Sequence, residues 1–281
     1  MSEVVVKYRR PLNKQQLESL HYLYWFRFCT SKQLAIVLKK SSQKVIQNKL
    51  QILEAQDIIG KRYDKDYKLA GRPAEYFITP KGARALEAAN PEATNKWATK
   101  SLYKNKTVSD DFLKHCITTT DTAIKLRGLY GDKLKVFPRS YMAAYSSYPT
   151  WAPDLHLQQQ TTAAGEPHHY FLDIWDNTKP FFVAVRKTQS YVQFKEMGDW
   201  LEDTPFPTIL AVCHDERAQK KLNRQMRRIL NDAWDDELVF ATTTTAKLMQ
   251  AAKPTDKIWS KIDADDNPEP VSLKGLTFVT S

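Results

Sequence analysis

The sequence predicts a two-part α+β protein. Three helices and a strand pair come first, and a larger α/β part built on a mixed sheet follows. Three observations carry this. Apolar residues recur at helical spacing over residues 13–58 and then fall into short strand-like runs. From residue 109 onward, helical and strand-like segments interleave. Positive charge is concentrated at one end: residues 1–98 hold 18 Lys and Arg against 9 Asp and Glu, while the rest holds 24 against 23.

Composition narrows the class. The 281 residues suit two domains, and 42% hydrophobic content with 11% aromatic residues excludes an unfolded chain. The longest apolar runs are broken by charge, so no transmembrane helix is expected. The start, MSEVVVKYRRPLN, lacks the apolar core of a signal peptide, and a cytoplasmic location is expected. Cys29, Cys116 and Cys213 are far apart and show neither zinc nor disulfide spacing; each suits a buried thiol. No Gly-rich phosphate loop exists, which argues against an NTPase.

Asn13 is a plausible cap for a first helix with Leu17, Leu20, Tyr24 and Phe28 on one side. Thr30 caps a second, with Leu34, Val37 and Leu38 apolar. Ser41 or Ser42 caps a third, whose stripe is Val45, Ile46, Leu50, Leu53 and Ile58. GKRYDKDYKLAGRPAEYFITPKGARALEA then reads as a strand, a basic turn, a second strand and a helix opening at Thr79 and Pro80. This is the order of a winged helix-turn-helix, in which the third helix enters the major groove and the hairpin touches the backbone beside it. Gln43, Lys44, Gln47 and Asn48 supply amides and a cation for double-stranded DNA. Lys61, Arg62, Lys65, Lys68 and Arg72, interleaved with Tyr63 and Tyr67, suit contacts at a groove edge. GRPAEYFITPKGARAL also resembles the wing-to-helix segment of many bacterial winged-helix proteins.

Residues 88–108 lack a clear period and read as a linker with some helical ends, which places the domains at 1–95 and 109–262 with 96–108 between them. Residues 263–281 are taken as a C-terminal tail. SDDFLKHCITTTDTAIKLRGLYG predicts a helix with a small-residue face. LKVFPRSYMAAY reads as an irregular strand because of Pro138. WAPDLHLQQQ and HHYFLDIWD follow as strands, joined through Gly165 and Pro167 as a hairpin. PFFVAVRKTQSYVQFKEMGDWLE is helical, TILAVC a buried strand, ERAQKKLNRQMRRILNDA a basic amphipathic helix, ELVFATT a strand and TAKLMQAA a short helix. A hairpin leading into a crossover helix and an apolar strand implies a mixed sheet flanked by helices.

That order resembles restriction-endonuclease-like domains of the PD-(D/E)xK type. Such sites need two acids at one end of adjacent strands to hold Mg²⁺ or Mn²⁺, and a lysine beside the attacking water. Pro153-Asp154 supplies one acid and Asp173 the other, but Trp175 stands where the motif's lysine belongs. His156, His168 and His169 lack the His-hydrophobic-His triplet of a tyrosine relaxase.

The whole layout, over roughly residues 10–260, resembles the replication-relaxation proteins of plasmids and mobile elements. LKHCITTTDTAIKL is similar to their His-initiated helix through His115 and Asp121. APDLHL is similar to their Pro-Asp strand, and FLDIWDNTKP to their acidic strand and following Thr, through Asp173 and Thr178. VRKTQSYVQF is similar to their Lys-x-x-x-Tyr helix, with Lys187 and Tyr191 in place. The resemblance implies that Lys187 has replaced the strand lysine, and that Asp154, Asp173, Lys187 and Tyr191 form the site, the two acids as metal ligands. It implies work on DNA in replication initiation, relaxation or mobilisation, with replication or mobilisation proteins as partners. Trp175 also stands where the family often has a second acid.

Two functions stay open. One is metal-dependent nicking of DNA selected by the winged helix. The other is a non-catalytic transcriptional regulator whose nuclease-like domain serves dimerisation as a homodimer. A toxin–antitoxin or phage-defence component would share the architecture.

Overall fold

The computed structural model describes residues 11–160, 166–201, 204–233, 238–262 and 270–276. The chain is an α+β protein that separates into two compact units, residues 1–94 and 95–281.

The first unit opens with α1 (Lys14–Phe26), capped by Asn13 in a reciprocal capping box with Gln16. Strand β1 (Cys29–Thr30) leads into α2 (Ser31–Val37), capped in the same way by Thr30 and Gln33. Helix α3 (Gln43–Ala55) begins after Ser42, whose side chain makes no capping bond. Its buried residues are Ile46, Leu50 and Leu53. The expected stripe differs at both ends: Val45 is 44% exposed, and Ile58 is buried beyond the helix, in the turn into the next strand.

Strand β2 (Ile59–Arg62) pairs antiparallel with β3 (Glu75–Ile78), and β3 with β1, giving the order β1-β3-β2. The expected basic turn contains a short helix, α4 (Lys65–Leu69), started by the Asp64 carboxylate accepting from the Tyr67 amide at 3.0 Å. Gly71, at φ +63°, takes the left-handed conformation that the Gly-Arg-Pro turn needs. Helix α5 (Pro80–Ala89) has Pro80 in its first turn, and its cap Thr79 donates to the Ile58 carbonyl as well.

The second unit starts with α6 (Lys96–Leu102), so most of the segment expected as linker is helical, held by Asn95 as cap. Helix α7 (Asp110–Tyr130) follows, then β4 (Leu134–Pro138) and α8 (Arg139–Met142). Pro138 ends β4 on the sheet edge, where a missing amide costs least. Strands β5 (Leu155–Gln159) and β6 (His168–Trp175) are antiparallel. Part of the expected hairpin joint, including Gly165, lies outside the described residues. Helix α9 (Phe181–Met197), β7 (Thr208–Cys213), α10 (Glu216–Ala233), β8 (Phe240–Thr244) and α11 (Thr245–Gln250) complete two parallel crossovers.

Two strands were not expected. β9 (Trp259–Ile262) and β10 (Pro270–Val271) extend the sheet to β10-β9-β8-β7-β6-β5-β4. Residues 270–276, assigned to a tail, instead pack on it, with Leu273 and Leu276 buried. Their short apolar content hides them from periodicity. Helices α9 and α10 pack together over Phe171, Ile209, Ala211 and Phe240. Alternation along β6 sends Tyr170, Leu172 and Ile174 the other way, on the side where Tyr170 meets the Leu273 carbonyl. All three cysteines are buried thiols.

Gly82 is the tightest close approach in the first unit. A Cβ there would lie 2.1 Å from the Ile58 carbonyl oxygen. Gly82→Ala is therefore expected to destabilise this unit by about 1–3 kcal/mol, read as a lower urea midpoint. An unchanged midpoint would show that α5 can shift away from β2.

Candidate functional site

The antiparallel register sets the site. Leu155 opposes Leu172, so the next pair outward is Asp154 and Asp173. Two carboxylates are thereby placed side by side at one end of the sheet, Asp173 2% and Asp154 9% exposed. Like charges directly opposite in a sheet repel, and burial adds a desolvation cost. Both must be compensated locally.

They are. One oxygen of Asp154 accepts from the Ile174 amide at 2.8 Å, and the other meets His115 Nε2 at 3.1 Å. Asp173 Oδ1 accepts from Lys187 Nζ and from the Asp154 amide at 3.2 Å; Asp173 Oδ2 accepts from the Tyr191 hydroxyl at 2.8 Å. Lys187 also donates to the Ala152 carbonyl at 3.2 Å. Residues 187 and 191 lie one helical turn apart on α9, which is why both reach the same carboxylate.

Two further residues join. Strand β6 ends at Trp175, and the chain turns so that Asp176 reaches His115 Nδ1 at 2.8 Å. Thr178 fixes Asp176 by donating to it from its amide and hydroxyl. Lys179 Nζ lies 3.4 Å from His115 Nε2. The segment HHYFLDIWD, read from sequence as one strand, runs through Asp176, and strand alternation there would turn Asp176 away from Asp173. The signal that locates it is the Asx-type turn in Asp-Asn-Thr-Lys-Pro, which stops the strand before Asp176.

Electrostatics follow from the geometry. Both ring nitrogens of His115 face carboxylates, an arrangement that favours the imidazolium. Burial works against that charge, but Asp154 and Asp176 outweigh it and raise the His115 pKa to about 9. Burial likewise opposes the Asp154 charge, yet His115, Lys187 and Lys179 hold its carboxyl far below the usual carboxylate range. Asp176 is also lowered, against burial, chiefly by His115 and Thr178. Burial and the Asp173 charge push the Tyr191 hydroxyl well above its ordinary value. Fully buried and committed to Asp173, Tyr191 is not placed as a nucleophile.

The residues expected to hold a metal thus converge at one end of the sheet. Every oxygen of Asp154 and Asp173 already has a donor from the chain. Asp154 and Asp176 pair with His115 and Asp173 with Lys187, and Lys179 lies near enough to act on the Asp154 charge. Among the described residues, no group of three or more His, Cys, Asp or Glu is arranged to hold a metal. Asp121, marked by the resemblance, is exposed and outside the cluster. His156 sits apart: Tyr148 meets its Nδ1 at 2.7 Å and His169 its Nε2 at 2.9 Å, and burial lowers it to about 3, so it is a neutral, satisfied core histidine.

In the first unit, Lys44, Asn48 and Gln51 are exposed at helical spacing on α3, opposite its buried face. Gln47 is half-buried, and Gln43 donates to the Ser31 hydroxyl at 2.8 Å. On the hairpin, Lys65 and Lys68 are exposed, the latter near the Tyr63 ring. Lys61 pairs with Glu54 at 2.9 Å, and Arg72 with Glu75 at 3.3 Å while stacking on the buried Tyr67. Arg62 is half-buried.

The family model described as Replication-relaxation matches residues 20–209. The chain belongs to the replication-relaxation family. No curated protein and no solved structure matches it. The matched span takes in α3, the hairpin of the first unit and every residue of the acidic cluster. No helix among the described residues is long and apolar enough to cross a membrane.

The His115 pKa gives a sign to the pH dependence. Its folded value is raised above 6.5, so its contribution to stability is complete below about pH 6.5 and drains away as pH rises through about 9. Asp154 is lowered below 3.8, so its contribution is present above that value and is lost as pH falls through the folded one. Urea midpoints of the full chain should fall between pH 7 and 10, and His115→Gln should flatten that fall. A parallel decline in both proteins would remove His115 as its source. Separately, Lys187→Met should destabilise the second unit by about 3–5 kcal/mol by stranding Asp173.

Proposed function

We propose that this replication-relaxation family member is a sequence-specific, non-catalytic binder of double-stranded DNA. Its first unit is read as a winged helix-turn-helix with α3 in the major groove and the β2–β3 hairpin as wing. Three helices interleaved with a β1-β3-β2 sheet, and the net charge of residues 1–98, support this. Lys44 and Asn48 are the best placed on α3: exposed, adjacent on one face, and opposite Ile46 and Leu50. Lys65 and Lys68 suit the neighbouring phosphates, whereas Lys61 and Arg72 serve the wing's own structure through Glu54 and Glu75.

The second unit is read as a nuclease-like domain whose catalytic end has become an ionic clasp. The observation that carries this is that every oxygen of Asp154 and Asp173 already accepts from the chain, through His115, Lys187, Tyr191 and two backbone amides. A hydrolytic site needs carboxylate oxygens open to a metal and a water within reach. The family association supports work on plasmid or mobile-element DNA, and a homodimer through the second unit fits a regulator that reads a palindromic site.

Two assays test this. In the first, supercoiled plasmid carrying the chain's own flanking DNA is incubated with the protein and Mg²⁺ or Mn²⁺. It is expected to stay supercoiled while the same DNA is retarded in a gel. Metal-dependent nicking by the parent, lost in Asp173→Ala, would sink the non-catalytic reading. In the second, Lys44→Ala with Asn48→Ala should weaken binding to the selected site at least tenfold, about 1.4 kcal/mol or more. Equal binding would remove α3 as the recognition helix.

A further inference from the structure

We propose that the outer face of α10 is a second DNA-backbone contact, separate from the winged helix and from the acidic cluster. The inference rests on the reading that the chain works on duplex DNA. Helix α10 carries Arg217, Lys220, Lys221, Arg224, Arg227 and Arg228 against only Glu216 and Asp232. Its apolar side, Leu222, Met226 and Ile229, is buried against the sheet. Gln219 pins the same side by donating to the Thr242 carbonyl at 3.1 Å and reaching the Ser260 hydroxyl at 3.4 Å. That docking fixes which face looks outward.

The outward face is predominantly basic. Arg217, Lys220, Lys221 and Arg224 line a shallow groove along the helix together with Glu216. Glu216 is drawn away by pairing with Lys247 of α11 at 3.2 Å, while Asp232, at the far end, lies 3.9 Å from Arg228 of the stripe itself. Lys221 rests over the Phe181 ring at 4.0 Å. From Arg217 to Arg228 the cations span about 16 Å at 1.5 Å per residue. That is comparable to the roughly 12 Å width of the major groove, so both bordering strands are in reach.

Duplex DNA is favoured over an anionic membrane on two grounds. A membrane-binding helix keeps its apolar face for lipid, whereas that of α10 is already used on the sheet. Among the described residues, α10 also exposes no large hydrophobic side chain that could insert.

The test is fluorescence anisotropy of the full chain with a labelled duplex of arbitrary sequence over a KCl series. The parent is compared with the triple variant Arg217→Gln, Lys220→Gln, Arg224→Gln and with Lys44→Ala/Asn48→Ala. Each lost phosphate contact lowers the slope of log K against log salt by about 0.9, so the triple variant should lower it by about 2.7. Its affinity at low salt should fall at least about tenfold, with helical circular dichroism unchanged. Should the triple variant melt early, the three single variants, each lowering the slope by about 0.9, carry the same test. A parental slope in these variants overturns the proposal. So does binding to phosphatidylserine vesicles that needs these residues while the duplex slope is unchanged. If the α3 double variant binds its selected site normally while the triple variant loses slope, the recognition-helix reading fails and the α10 contact stands.

Discussion

Two carboxylates placed opposite one another at the end of an antiparallel strand pair set the constraint on the second unit. Asp154 and Asp173 cannot both be ionised and buried unless positive charge and hydrogen-bond donors surround them. The surrounding helices supply them: α7 brings His115 and α9 brings Lys187 and Tyr191, while the turn after β6 brings Asp176 as an acceptor onto the other ring nitrogen of His115. The imidazolium is held between two acids, so it joins the helix α7 to the start of β5 and to the turn beyond β6. Removing one partner leaves a stranded charge, which is costlier than never having built the pair. The network is therefore all-or-none, and it positions four elements at once.

Much of this arrangement is legible in the sequence. The caps Asn13, Thr30 and Thr79 carry their own chemistry, and each starts a helix where the pattern places it. The apolar runs of β6 and β7 are strong enough to read as buried strands. The meeting of Asp154, Asp173 and Lys187 is suggested only through a family resemblance, because no spacing rule links a strand start to a helix thirty residues later. Asp176 was missed because alternation along a strand holds only while the strand lasts, and β6 stops one residue earlier. Strands β9 and β10 were missed because they are too short to show a period; β9 is held by its pairing with β8, not by a pattern of its own. Helix α4 is set by one carboxylate cap and by Tyr67 reaching Glu75, a contact eight residues away that periodicity does not register.

The cluster also shows why the same residue types can serve opposite ends. Acid, acid and lysine at the end of a sheet are what a metal-dependent nuclease requires, and the family pattern brings them together here. The third position decides the outcome. Trp175 packs against the α9–α10 core and offers no oxygen, while Asp176 is spent on His115. With His115 charged, the positive charge that a metal would supply is already present and covalently tethered. The proposed function accordingly rests on surfaces, not on this buried end.

Charge is accordingly used in two ways along the chain. Inside, buried carboxylates are paired with His115 and Lys187. Outside, the first 98 residues carry nine of the ten net positive charges and α10 four more, so the remaining residues are acidic by three. This is why the basic helix is invisible in a domain-level sum: its charge is offset elsewhere in the same unit. Screening makes the distinction functional. Charges separated by more than about 8 Å in physiological salt act nearly independently, so a polyanion at α10 responds to the local stripe and not to the balance of the whole unit. A phosphate backbone is matched by such a stripe at any sequence, while amide and lysine side chains such as those on α3 are of the kind that discriminate bases. In the proposed scheme one surface selects the DNA and the other adds salt-sensitive affinity, and neither needs the buried clasp to open.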